Sequence, residues 1–322
     1  MINLAVIGAG NLGSHHISGL LLSSNEFHVH IVDSKKHAIN LLNEKFNYFS
    51  KVHSKHTFTI YDNLNQLPQE ITIAIISTTA ESRRAVVELI AERCKLKYLL
   101  LEKVVFQNSS DFKPILEILK KNNIKTWINF PRRIFEVYKD IKKQIIDELI
   151  SIEVVGYEWG LACNSIHMID LFSYLTNQVD FSFDSNQLKK SIFNSKRKNF
   201  KELKGILKVG TSNGDRLIIK DDKKYKNRFE ISINTPTISF KIFEHDRILQ
   251  KYVSNQFHSQ KKINLPFQSE LTGIVIDQII NNNRSDLTKY EDCMHYHMTM
   301  LDCFQLHFSK FYDKKISKCP IT

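Results

Sequence analysis

The chain begins MINLAVIGAGNLGSHHISGLLLSSNEFHVHIVD (Met1 to Asp33), and the N-terminal fold is predicted from this segment. The apolar run Ile2–Ile7 is typical of a buried parallel strand, and residues with helical spacing follow it. Three glycines in a GxGxxG pattern lie between strand and helix: Gly8, Gly10 and Gly13. A second apolar strand, Phe27–Val32, ends on Asp33, about twenty residues beyond the last glycine. This order predicts a dinucleotide-binding βαβ unit.

Each glycine has a physical role in such a unit. Gly8 allows the tight turn, Gly10 lets the backbone approach a pyrophosphate, and Gly13 lets helix and strand pack closely. The backbone N–H groups at the start of the helix, at Asn11 and Leu12, then face the phosphates. The alternative is a glycine-rich turn of purely structural use, and the flanking strand, helix and acid argue against it.

The acid at the end of the second strand predicts which cofactor is bound. Asp33 would accept hydrogen bonds from the ribose hydroxyls of an adenosine and would repel a 2′-phosphate. NAD is therefore predicted over NADP, although Lys35 and Lys36 weaken this preference.

Size and composition indicate a two-domain globular protein. The chain has 322 residues, enough for two cores, with 42% hydrophobic and 25% charged residues. No apolar stretch approaches the length of a membrane span, and the N-terminus lacks signal-peptide features. A cytoplasmic protein with no membrane partner is expected. The five cysteines form no CxxC pair, so neither a disulfide framework nor a structural zinc is expected.

The formal net charge of +11 is spread over many segments, with local clusters at Lys196–Lys198 and Lys223–Lys224. Neither cluster lies in a nucleic-acid motif with regularly spaced aromatic residues. A solvated basic surface is therefore expected at both clusters, and no nucleic-acid partner. The excess also suits an anionic small-molecule substrate.

Strands and helices alternate through residues 1–126. Further strands are predicted at Thr57–Tyr61, Ile71–Ser77, Tyr98–Leu101 and, as the last strand of this sheet, Thr126–Phe130. Helices are predicted at His37–Phe46, Glu81–Lys95 and Asp111–Asn122. The alternation predicts an α/β domain with a Rossmann-type, doubly wound parallel sheet. Ligands bind at the carboxyl ends of such strands, so the candidate cofactor-binding residues include Ser77, Thr78, Thr79, Glu102 and Lys103.

Residues 127–322 are predicted to form a second, α+β domain. An amphipathic helix at Arg133–Ile150 leads into a strand at Ser151–Glu158, and helical character returns at Ile166–Leu175. A period of two then predicts successive antiparallel strands at Gly205–Val209, Arg216–Lys220, Arg228–Asn234 and Thr237–Phe243. Two closing helices are predicted at Ser269–Asn282 and Tyr290–Phe311. The result is a largely antiparallel open sheet, with one face on helices and the other left for a partner or subunit.

Two short segments carry groups suited to chemistry. Glu102-Lys103 directly follows a buried strand, and His167 and Asp170 are three residues apart, on one face of a helix. Alone, the first would more often be a surface ion pair and the second a helix-start pair. Their combination with a cofactor domain is what favours catalysis.

Metal sites are not expected. Cys163 lies near His167 and Asp170, but no fourth ligand has suitable spacing. Residues 293–297 hold a cysteine and two histidines, but neighbours two apart on a helix point to different faces, so packing or surface roles are expected.

The ordered set of motifs resembles the Gfo/Idh/MocA oxidoreductases, which include inositol, glucose-fructose and sugar-nucleotide dehydrogenases. The glycine motif extends to GxGxxGxxH with His16, Glu-Lys-X stands at Glu102–Val104, and HxxD at His167–Asp170. Asn129–Arg133 is similar to the family's segment with a substrate-facing arginine, and a C-terminal helix follows Asp286-Leu-Thr. No single motif is specific, but their order covers nearly the whole chain.

The resemblance implies that Lys103 and His167 flank the carbon that is oxidised, and that Asp170 holds substrate hydroxyls or the imidazole. In such a reaction hydride leaves for the nicotinamide C4 while a base takes the hydroxyl proton. A lysine buried beside a cationic nicotinamide can have its pKa lowered toward the working pH, and a histidine already titrates in that range. The sequence leaves open which of the two is the base. Glu102 is expected to position Lys103.

Two positions depart from the family pattern. The usual Glu-Lys-Pro is here Glu102–Val104, without the proline that helps to fix the turn. The usual Thr-Pro and downstream histidine are replaced by Thr78-Thr79 and Arg83, and Arg83 either adds a positive group near the cofactor or substrate or is neutral.

The sequence therefore predicts an NAD-dependent oxidoreductase that oxidises a ring hydroxyl of a sugar or sugar nucleotide, or reduces the matching ketone. The segment CNSIHMIDLFSYLTN, from Cys163, resembles family members associated with bacterial surface-polysaccharide sugar synthesis. The predicted substrate-binding residues are Arg132, Arg133, Asn164, His167 and Asp170, with Arg132 or Arg83 available for anions.

Two other functions remain compatible with these patterns. A reductase of an imine or another conjugated double bond would need a proton donor but no base acting on a hydroxyl. A non-catalytic, NAD-sensing regulator would bind a partner protein, and the presence of Lys103 and His167 argues against it. The resemblance also implies a homodimer or homotetramer, assembled through the open face of the second-domain sheet.

Overall fold

A computed structural model describes the protein over residues 1–49 and 55–322, with residues 43–49 described by their backbone alone. Its contacts divide the chain into two compact units. The first comprises Met1–Phe106, Asp111–Pro131 and Pro266–Tyr290, and the second comprises Gln107–Ser110, Arg132–Leu265 and Glu291–Thr322. This differs from the predicted continuous division at residue 126, because residues 266–290 belong to the first unit.

The described residues form the following elements. The strands are β1 (Ile2–Ile7), β2 (Phe27–Val32), β3 (Thr57–Tyr61), β4 (Ile73–Ile76), β5 (Tyr98–Leu101), β6 (Lys125–Ile128), β7 (Ser151–Gly156), β8 (Ser182–Leu188), β9 (Phe193–Asn194), β10 (Lys201–Glu202), β11 (Gly205–Gly210), β12 (Arg216–Asp221), β13 (Glu230–Asn234), β14 (Ile238–Phe243), β15 (Ile248–Val253), β16 (Gln256–Lys262) and β17 (Thr288–Lys289). The helices are α1 (Asn11–Leu20), α2 (Lys36–Phe49), α3 (Ala80–Arg93), α4 (Phe112–Lys121), α5 (Glu136–Gln144), α6 (Leu161–Thr176), α7 (Gln268–Asn282) and α8 (Tyr290–Tyr312).

The first unit is built on a seven-stranded sheet in the order β17-β6-β5-β4-β1-β2-β3. Strands β1 to β6 pair in parallel, and their inner members are buried almost without interruption because helices cover both faces of such sheets. The predicted Rossmann-type sheet is confirmed. The prediction that the strand after Lys125 ends the sheet was wrong, since β17 pairs antiparallel with β6 at this edge.

The segment 266–290 belongs to the first unit for two reasons. Strand β17 extends the sheet, and helix α7 packs closely on α1. A Cβ atom on Gly19 would lie 2.8 Å from the Cβ of Thr272, and one on Gly273 would lie 2.7 Å from the carbonyl oxygen of Gly19. The two helices therefore approach each other at a distance that only glycine permits at these positions.

The second unit contains an eight-stranded, largely antiparallel sheet in the order β16-β15-β14-β13-β7-β12-β11-β8, together with the two-stranded β9–β10 hairpin. The prediction of successive antiparallel strands was wrong at one point, because β7 lies between β12 and β13. It pairs in parallel with β12 and antiparallel with β13. A buried strand with the pattern SIEVVG can take this central place, whereas strands β8, β15 and β16, which the sequence did not predict, are more polar.

Two helices of the second unit differ in length from the prediction. Helix α5 ends at Gln144 rather than continuing to residue 150, since Ile145 has left the helical conformation (φ −119°, ψ 25°) and Asp147 has a positive φ of 60°. Leu149, within the predicted helix, is 52% exposed. Helix α6 begins five residues before the predicted start at Ile166, so the HxxD segment lies well inside it. Within the described ranges, none of the helices combines the length and apolar character needed to cross a bilayer.

Candidate functional site

The glycine turn of the first unit is held by the strands on either side of it. Gly8 has a φ of +93°, and its N–H donates to the carbonyl oxygen of Val32 at 2.8 Å. The Ser77 hydroxyl at the end of β4 donates to the carbonyl oxygen of Gly8 at 2.6 Å. Ser77, a predicted cofactor-binding residue, therefore fixes the shape of the turn.

The turn has the shape that a pyrophosphate cradle requires. A Cβ atom on Gly13 would lie 1.9 Å from the carbonyl oxygen of Gly8, so helix α1 passes directly against the turn. A Cβ atom on Gly10 would meet nothing within 4 Å, and it would point into open space. The helical ladder starts with Ser14 N–H donating to Gly10 O, so the N–H groups of Asn11 and Leu12 precede it at the positive end of the helix. These residues fit a dinucleotide.

The carboxylate of Asp33 lies beside this turn. One oxygen accepts the N–H of Ala9 at 2.7 Å, and the other accepts the N–H of Lys35 at 2.9 Å. The half-buried carboxylate is thus anchored between the glycine turn and the end of β2, where the βαβ fingerprint places the acid for a ribose. The side chains of Lys35 and Lys36 are exposed.

Glu102, at the end of β5, lies in a buried polar network. Its Oε1 is 2.8 Å from Nε2 of His16 on α1 and accepts from Nδ2 of Asn129 at 2.5 Å. Burial alone would raise the pKa of Glu102, but the hydrogen bonds from His16 and Asn129 outweigh it and hold that pKa below its ordinary value. The carboxylate therefore stays ionised and anchors the backbone immediately before Lys103.

Helix α7 completes the same network. Nδ1 of His16 lies 3.0 Å from the hydroxyl of Thr272, and Asn129 also donates to Oε1 of Gln268 at 2.8 Å. The Gln268 amide in turn donates to the Thr272 hydroxyl at 3.0 Å. The network thus joins α1, the ends of β5 and β6, and α7. His16 on α1 and Thr272 on α7 are 256 residues apart in the sequence.

Arg83 occupies a different place from the predicted one. Its guanidinium is 1% exposed and donates to the carbonyl oxygens of Thr78, Val104 and Val105, the last at 3.0 Å. The prediction that Arg83 is available for anions was wrong, because the backbone oxygens of two loops surround it. The Lys103–Val104 peptide bond is cis.

Arg83 and Glu102 hold the segment around Lys103 from both sides. The Glu102 carboxylate is anchored on the N-terminal side, and Arg83 binds the carbonyl groups of Val104 and Val105 on the C-terminal side. Lys103 itself is half-buried. Arg83 also binds the loop after β4 at Thr78, and the next residue, Thr79, is the N-cap position of helix α3, without a side-chain capping hydrogen bond. One buried cation thus joins the two loops that carry predicted cofactor-binding residues.

In the second unit, helix α6 presents Asn164 and His167. The helix is largely buried, but Asn164 and His167, one turn apart, are half-buried and keep part of their side chains accessible. The Asn164 amide donates to the carbonyl oxygen of Trp159 at 2.7 Å. The start of the helix is capped by Glu202, whose carboxylate accepts the N–H of Ala162 at 2.8 Å. These contacts fix the start of α6 and the orientation of Asn164. We call Asn164 and His167 the polar stripe of α6.

Asp170 is fully buried below this stripe. Its two oxygens accept the Nε of Arg133 at 3.0 Å each, and the Tyr296 hydroxyl donates to Oδ1 at 2.8 Å. Burial, followed by the Asp170 carboxylate, raises the pKa of Tyr296 well above its ordinary value, so the hydroxyl stays protonated and donates. The Asp170 carboxylate is therefore engaged by Arg133 and Tyr296, and its expected contact with substrate hydroxyls or with the imidazole of His167 stays a prediction.

Arg132 is paired as well. Its guanidinium binds both carboxylate oxygens of Glu244, with Nε–Oε1 at 2.9 Å and Nη2–Oε2 at 2.5 Å. The buried Tyr138 hydroxyl donates to the same carboxylate at 2.7 Å. An anionic substrate would have to compete with Glu244 for Arg132, contrary to the expectation that this arginine is available for anions.

The cysteine and histidine residues of α8 pack as structural groups. Sγ of Cys293 lies 3.1 Å from Nδ1 of His297, and both residues are fully buried. His295 is partly exposed and lies 3.1 Å from Asp180. Burial raises the pKa of the Cys293 thiol well above its ordinary range. Across the residues that the structure describes, no three histidine, cysteine or carboxylate side chains are grouped to hold a metal ion.

With this geometry in place, a family model decides the assignment of the first unit. The model of the Gfo/Idh/MocA oxidoreductases, described as an oxidoreductase family with an NAD-binding Rossmann fold, matches residues 2–130. The match covers less than half of the chain, so it shows similarity to this family for residues 2–130 alone. Over these residues the resemblance predicted from the motifs is confirmed, and they form an NAD-binding Rossmann fold of the oxidoreductase type. A search among curated proteins finds no significant match.

Solved structures share the fold over nearly the whole chain. The UDP-N-acetylglucosamine 3-dehydrogenase GnnA from Acidithiobacillus ferrooxidans superposes with a TM-score of 0.70 at 13% identity, covering 94% of this chain and 96% of that one. Biliverdin reductase from Synechocystis, in complex with biliverdin and NADP+, has a TM-score of 0.73 at 9% identity, covering 95% and 98%. A super-repressor mutant of Gal80p from Saccharomyces cerevisiae has a TM-score of 0.71 at 14% identity, covering 98% and 97%. At these identities the similarity shows the fold alone.

Several residues that organise the site were not found from the sequence. The pairing of Glu102 with His16 and Asn129 could have been suspected, because His16 belongs to the motif and Asn129 follows a strand end. Tyr296 and Glu244 lie in segments that carry no motif, so nothing in the sequence pointed to their pairing with Asp170 and Arg132.

Proposed function

We propose that the chain is an NAD-dependent dehydrogenase that transfers hydride between a secondary alcohol of a sugar or sugar nucleotide and the nicotinamide. The observation that carries this proposal is the placement of Lys103. It follows β5 in the same unit as the glycine turn, and Glu102 and Arg83 anchor the backbone on either side of it. A lysine on a surface loop would need no such support.

The cofactor proposal rests on Asp33. Its anchored carboxylate beside the glycine turn suits two ribose hydroxyls, and its negative charge opposes a 2′-phosphate. NAD is therefore proposed over NADP. The N–H groups of Asn11 and Leu12 would face the pyrophosphate, and the backbone at Thr78 and Thr79 would border the cofactor beyond the end of β4.

The chemistry needs one proton acceptor beside the reacting carbon. A bound nicotinamide would accept the hydride that leaves the carbinol carbon. The hydroxyl proton must leave at the same time, and we assign its acceptance to the unprotonated amine of Lys103 or the unprotonated imidazole of His167. In the reductive direction the same group returns the proton to the oxygen.

The substrate-side residues belong to the second unit. We propose that Asn164 and His167, two half-buried polar residues one turn apart on α6, bind substrate hydroxyls. Arg133 and Asp170 act below them as a buried pair that holds the helix in place. Asp170 is thus proposed as a positioning residue rather than a catalytic one.

The substrate class follows from the family and from charge. GnnA is named for a dehydrogenation of a UDP-linked sugar, and the net charge of +11 suits a phosphate-bearing substrate. A role in bacterial surface-polysaccharide sugar synthesis, in the cytoplasm and as a homodimer or homotetramer, is part of this proposal.

The fold by itself does not separate this function from two others. Biliverdin reductase and the regulator Gal80p share it, and they correspond to a reductase of a conjugated system and to a regulatory protein. A reductase would use NADH but would oxidise no sugar. A regulator would bind NAD without turning any substrate over.

The test compares Lys103→Met with Lys97→Met. Lys97 is an exposed lysine at the opposite end of β5, so it controls for the loss of one lysine charge. NAD is supplied with a panel of sugars, inositols and nucleotide sugars, and NADH is followed by absorbance. We expect Lys103→Met to retain NAD binding while turnover falls by about a hundredfold or more, because a general base is lost.

His167→Asn is measured in parallel, and turnover of each variant is followed as a function of pH. Turnover falls at low pH because the base becomes protonated, so only the variant that lacks the base loses this dependence. Lys97→Met should keep wild-type turnover. Full activity in Lys103→Met would contradict the assignment of Lys103. NAD binding without turnover across the whole panel would contradict the dehydrogenase function and favour the regulator.

A further inference from the structure

Lys and Arg residues occur throughout the chain, but two segments of the second unit hold few acids to balance them. Residues 185–204 and 303–322 together hold eleven Lys or Arg residues against two Asp or Glu residues, whereas the whole chain has 45 against 34. Nine of the eleven cations are exposed. We call residues 185–204 and 303–322 the basic surface.

Tertiary structure brings the two segments of the basic surface together. Nε2 of His307 on α8 lies 3.1 Å from the carbonyl oxygen of Lys189, which follows β8. Lys190 and Lys310 line one cleft between these elements. The backbone N–H of Lys201 on β10 donates to the carbonyl oxygen of Pro320 at 2.7 Å. Lysines that are more than one hundred residues apart along the chain therefore share one surface.

Few acids neutralise this surface. Glu202 is buried and caps helix α6, so its charge is directed inward. Glu158 lies outside the segments and pairs with Lys204 at 2.9 Å. Because Lys204 is half-buried, this ion pair does not neutralise any of the nine exposed cations. Asp313 is exposed within the two segments, and Asp184 and Asp302 lie directly before them, which leaves a net charge of +7 for residues 184–204 and 302–322. The exposed lysines around these acids leave a strong positive excess.

Apolar side chains are exposed on the same surface. On α8, Leu306 is 65% exposed, Phe311 is 47% exposed and Tyr312 is 36% exposed. Phe311 lines the cleft that Lys190 and Lys310 also line. Exposed aliphatic and aromatic residues next to lysines are typical of protein surfaces that bind the interface of a lipid bilayer.

We propose that the basic surface binds anionic phospholipid bilayers. The lysines would be attracted to the negative surface of the bilayer, and Phe311 and Tyr312, whose rings are in contact, would insert at the level of the headgroups. This interaction goes beyond the proposed dehydrogenase activity and does not depend on it. It would place the protein at the membrane, in contrast to the expectation from the sequence that it has no membrane partner.

The composition favours a lipid surface over a nucleic acid. Ten of the eleven cations are lysines, and a lysine is a point charge that suits a diffuse negative surface. Recognition of nucleic-acid phosphates and bases favours arginine, which donates in a planar fork. The cluster Lys196–Lys198 lies in the turn between β9 and β10, and neither it nor the end of α8 matches a nucleic-acid-binding motif.

The test is sedimentation of the full chain with vesicles. Vesicles of phosphatidylcholine alone are compared with vesicles of equimolar phosphatidylcholine and phosphatidylglycerol, at low and at raised salt. We expect binding to the anionic vesicles alone, weakened by salt. Neutralising Lys196, Arg197 and Lys198 together to Gln should lower the partition coefficient by about a hundredfold, since each cation contributes roughly fivefold.

The matched control neutralises Lys223, Lys224 and Lys226 to Gln, which removes the same charge from an exposed cluster elsewhere in the second unit. This variant should bind like the wild type, and Phe311→Ser should weaken binding without changing the net charge. An equal loss in the control triple would overturn the proposal, because binding would then follow net charge alone. So would the absence of sedimentation with anionic vesicles, or tighter binding to a DNA oligonucleotide than to these vesicles at the same salt.

Discussion

Alanine at Gly10 is expected to abolish tight NAD binding while the protein remains folded, and alanine at Gly13 is expected to disrupt the turn itself. The two substitutions add the same methyl group three residues apart. At Gly10 the added Cβ would meet nothing within 4 Å, and the residue has φ −62° and ψ −166°, which alanine can adopt. At Gly13 the Cβ would lie 1.9 Å from the carbonyl oxygen of Gly8.

The expected magnitudes follow from these contacts. Alanine at Gly10 restricts the unfolded chain, which stabilises by about 0.4–1 kcal/mol, but alanine is a poorer helix N-cap by a similar amount. The free energy of unfolding should therefore change by less than about 0.5 kcal/mol. The methyl group would stand where the pyrophosphate approaches the helix. Loss of two hydrogen bonds to a charged group, at about 1.5 kcal/mol or more each, weakens NAD binding at least a hundredfold.

Gly13→Ala acts on the fold instead. Helix α1 must move away from the turn by more than an ångström, because Gly8 and Ser77 both border the added carbon. Overpacking of this kind costs about 1–3 kcal/mol or more. Gly210→Ala is the control in the second unit, since its nearest Cβ contact would be 3.4 Å, an ordinary van der Waals distance.

The assay is calorimetric titration with NAD together with thermal unfolding of each variant. Gly10→Ala should unfold at the wild-type temperature and bind NAD at least a hundredfold more weakly. If Gly10→Ala bound NAD with the wild-type dissociation constant, the glycine turn would not be the pyrophosphate site, and the reasoning from its open space would be refuted.

Two further predictions concern buried charges. Arg83→Met should lower the free energy of unfolding by about 3 kcal/mol or more in urea titrations, because three carbonyl oxygens lose their donor. The control is Arg84→Met, at a neighbouring arginine whose side chain is 41% exposed, and it should lower the same free energy by less than about 1 kcal/mol. Equal losses of unfolding free energy in the two variants would contradict the role of Arg83 in holding the two loops together. Asp170→Asn should lower the free energy of unfolding by about 3–5 kcal/mol, because it leaves the buried charge of Arg133 unpaired. Tyr296→Phe should lower it by only about 1 kcal/mol. The opposite order in thermal unfolding would show that the ion pair is not what holds α6 in place.

The elements of the first unit were predicted closely from local pattern. The predicted bounds of β1, β2, β3 and β5 agree with the structure. Strand β5 is a buried apolar run of the kind typical of inner parallel strands, whereas the edge strand β3 is only half-buried. The second unit was predicted less completely. Strands β8 and β16 are polar edge strands, so their pairing rather than their composition makes them strands.

Segments that pair with distant parts of the chain were also beyond local pattern. Strand β17 consists of two residues, and it exists because Thr288 and Lys289 meet the edge of a sheet whose neighbouring strand lies about 160 residues earlier. Helix α7 was predicted as a helix, but its place on α1 depends on Gly19 and Gly273, whose close approach has no local signature.

By itself, the sequence determined the dinucleotide-binding unit, since GxGxxG, an acid at the end of the next strand and alternating strands and helices are local patterns with direct backbone consequences. That Lys103 and His167 carry the chemistry stays a prediction from the sequence. Only the tertiary structure decided what surrounds the charged groups. Arg83 binds backbone oxygens, and Asp170 binds Arg133 and Tyr296, which lies 126 residues away. The physical reason is that burial forces each charge to find a partner, and which partner it finds depends on the packing of distant segments.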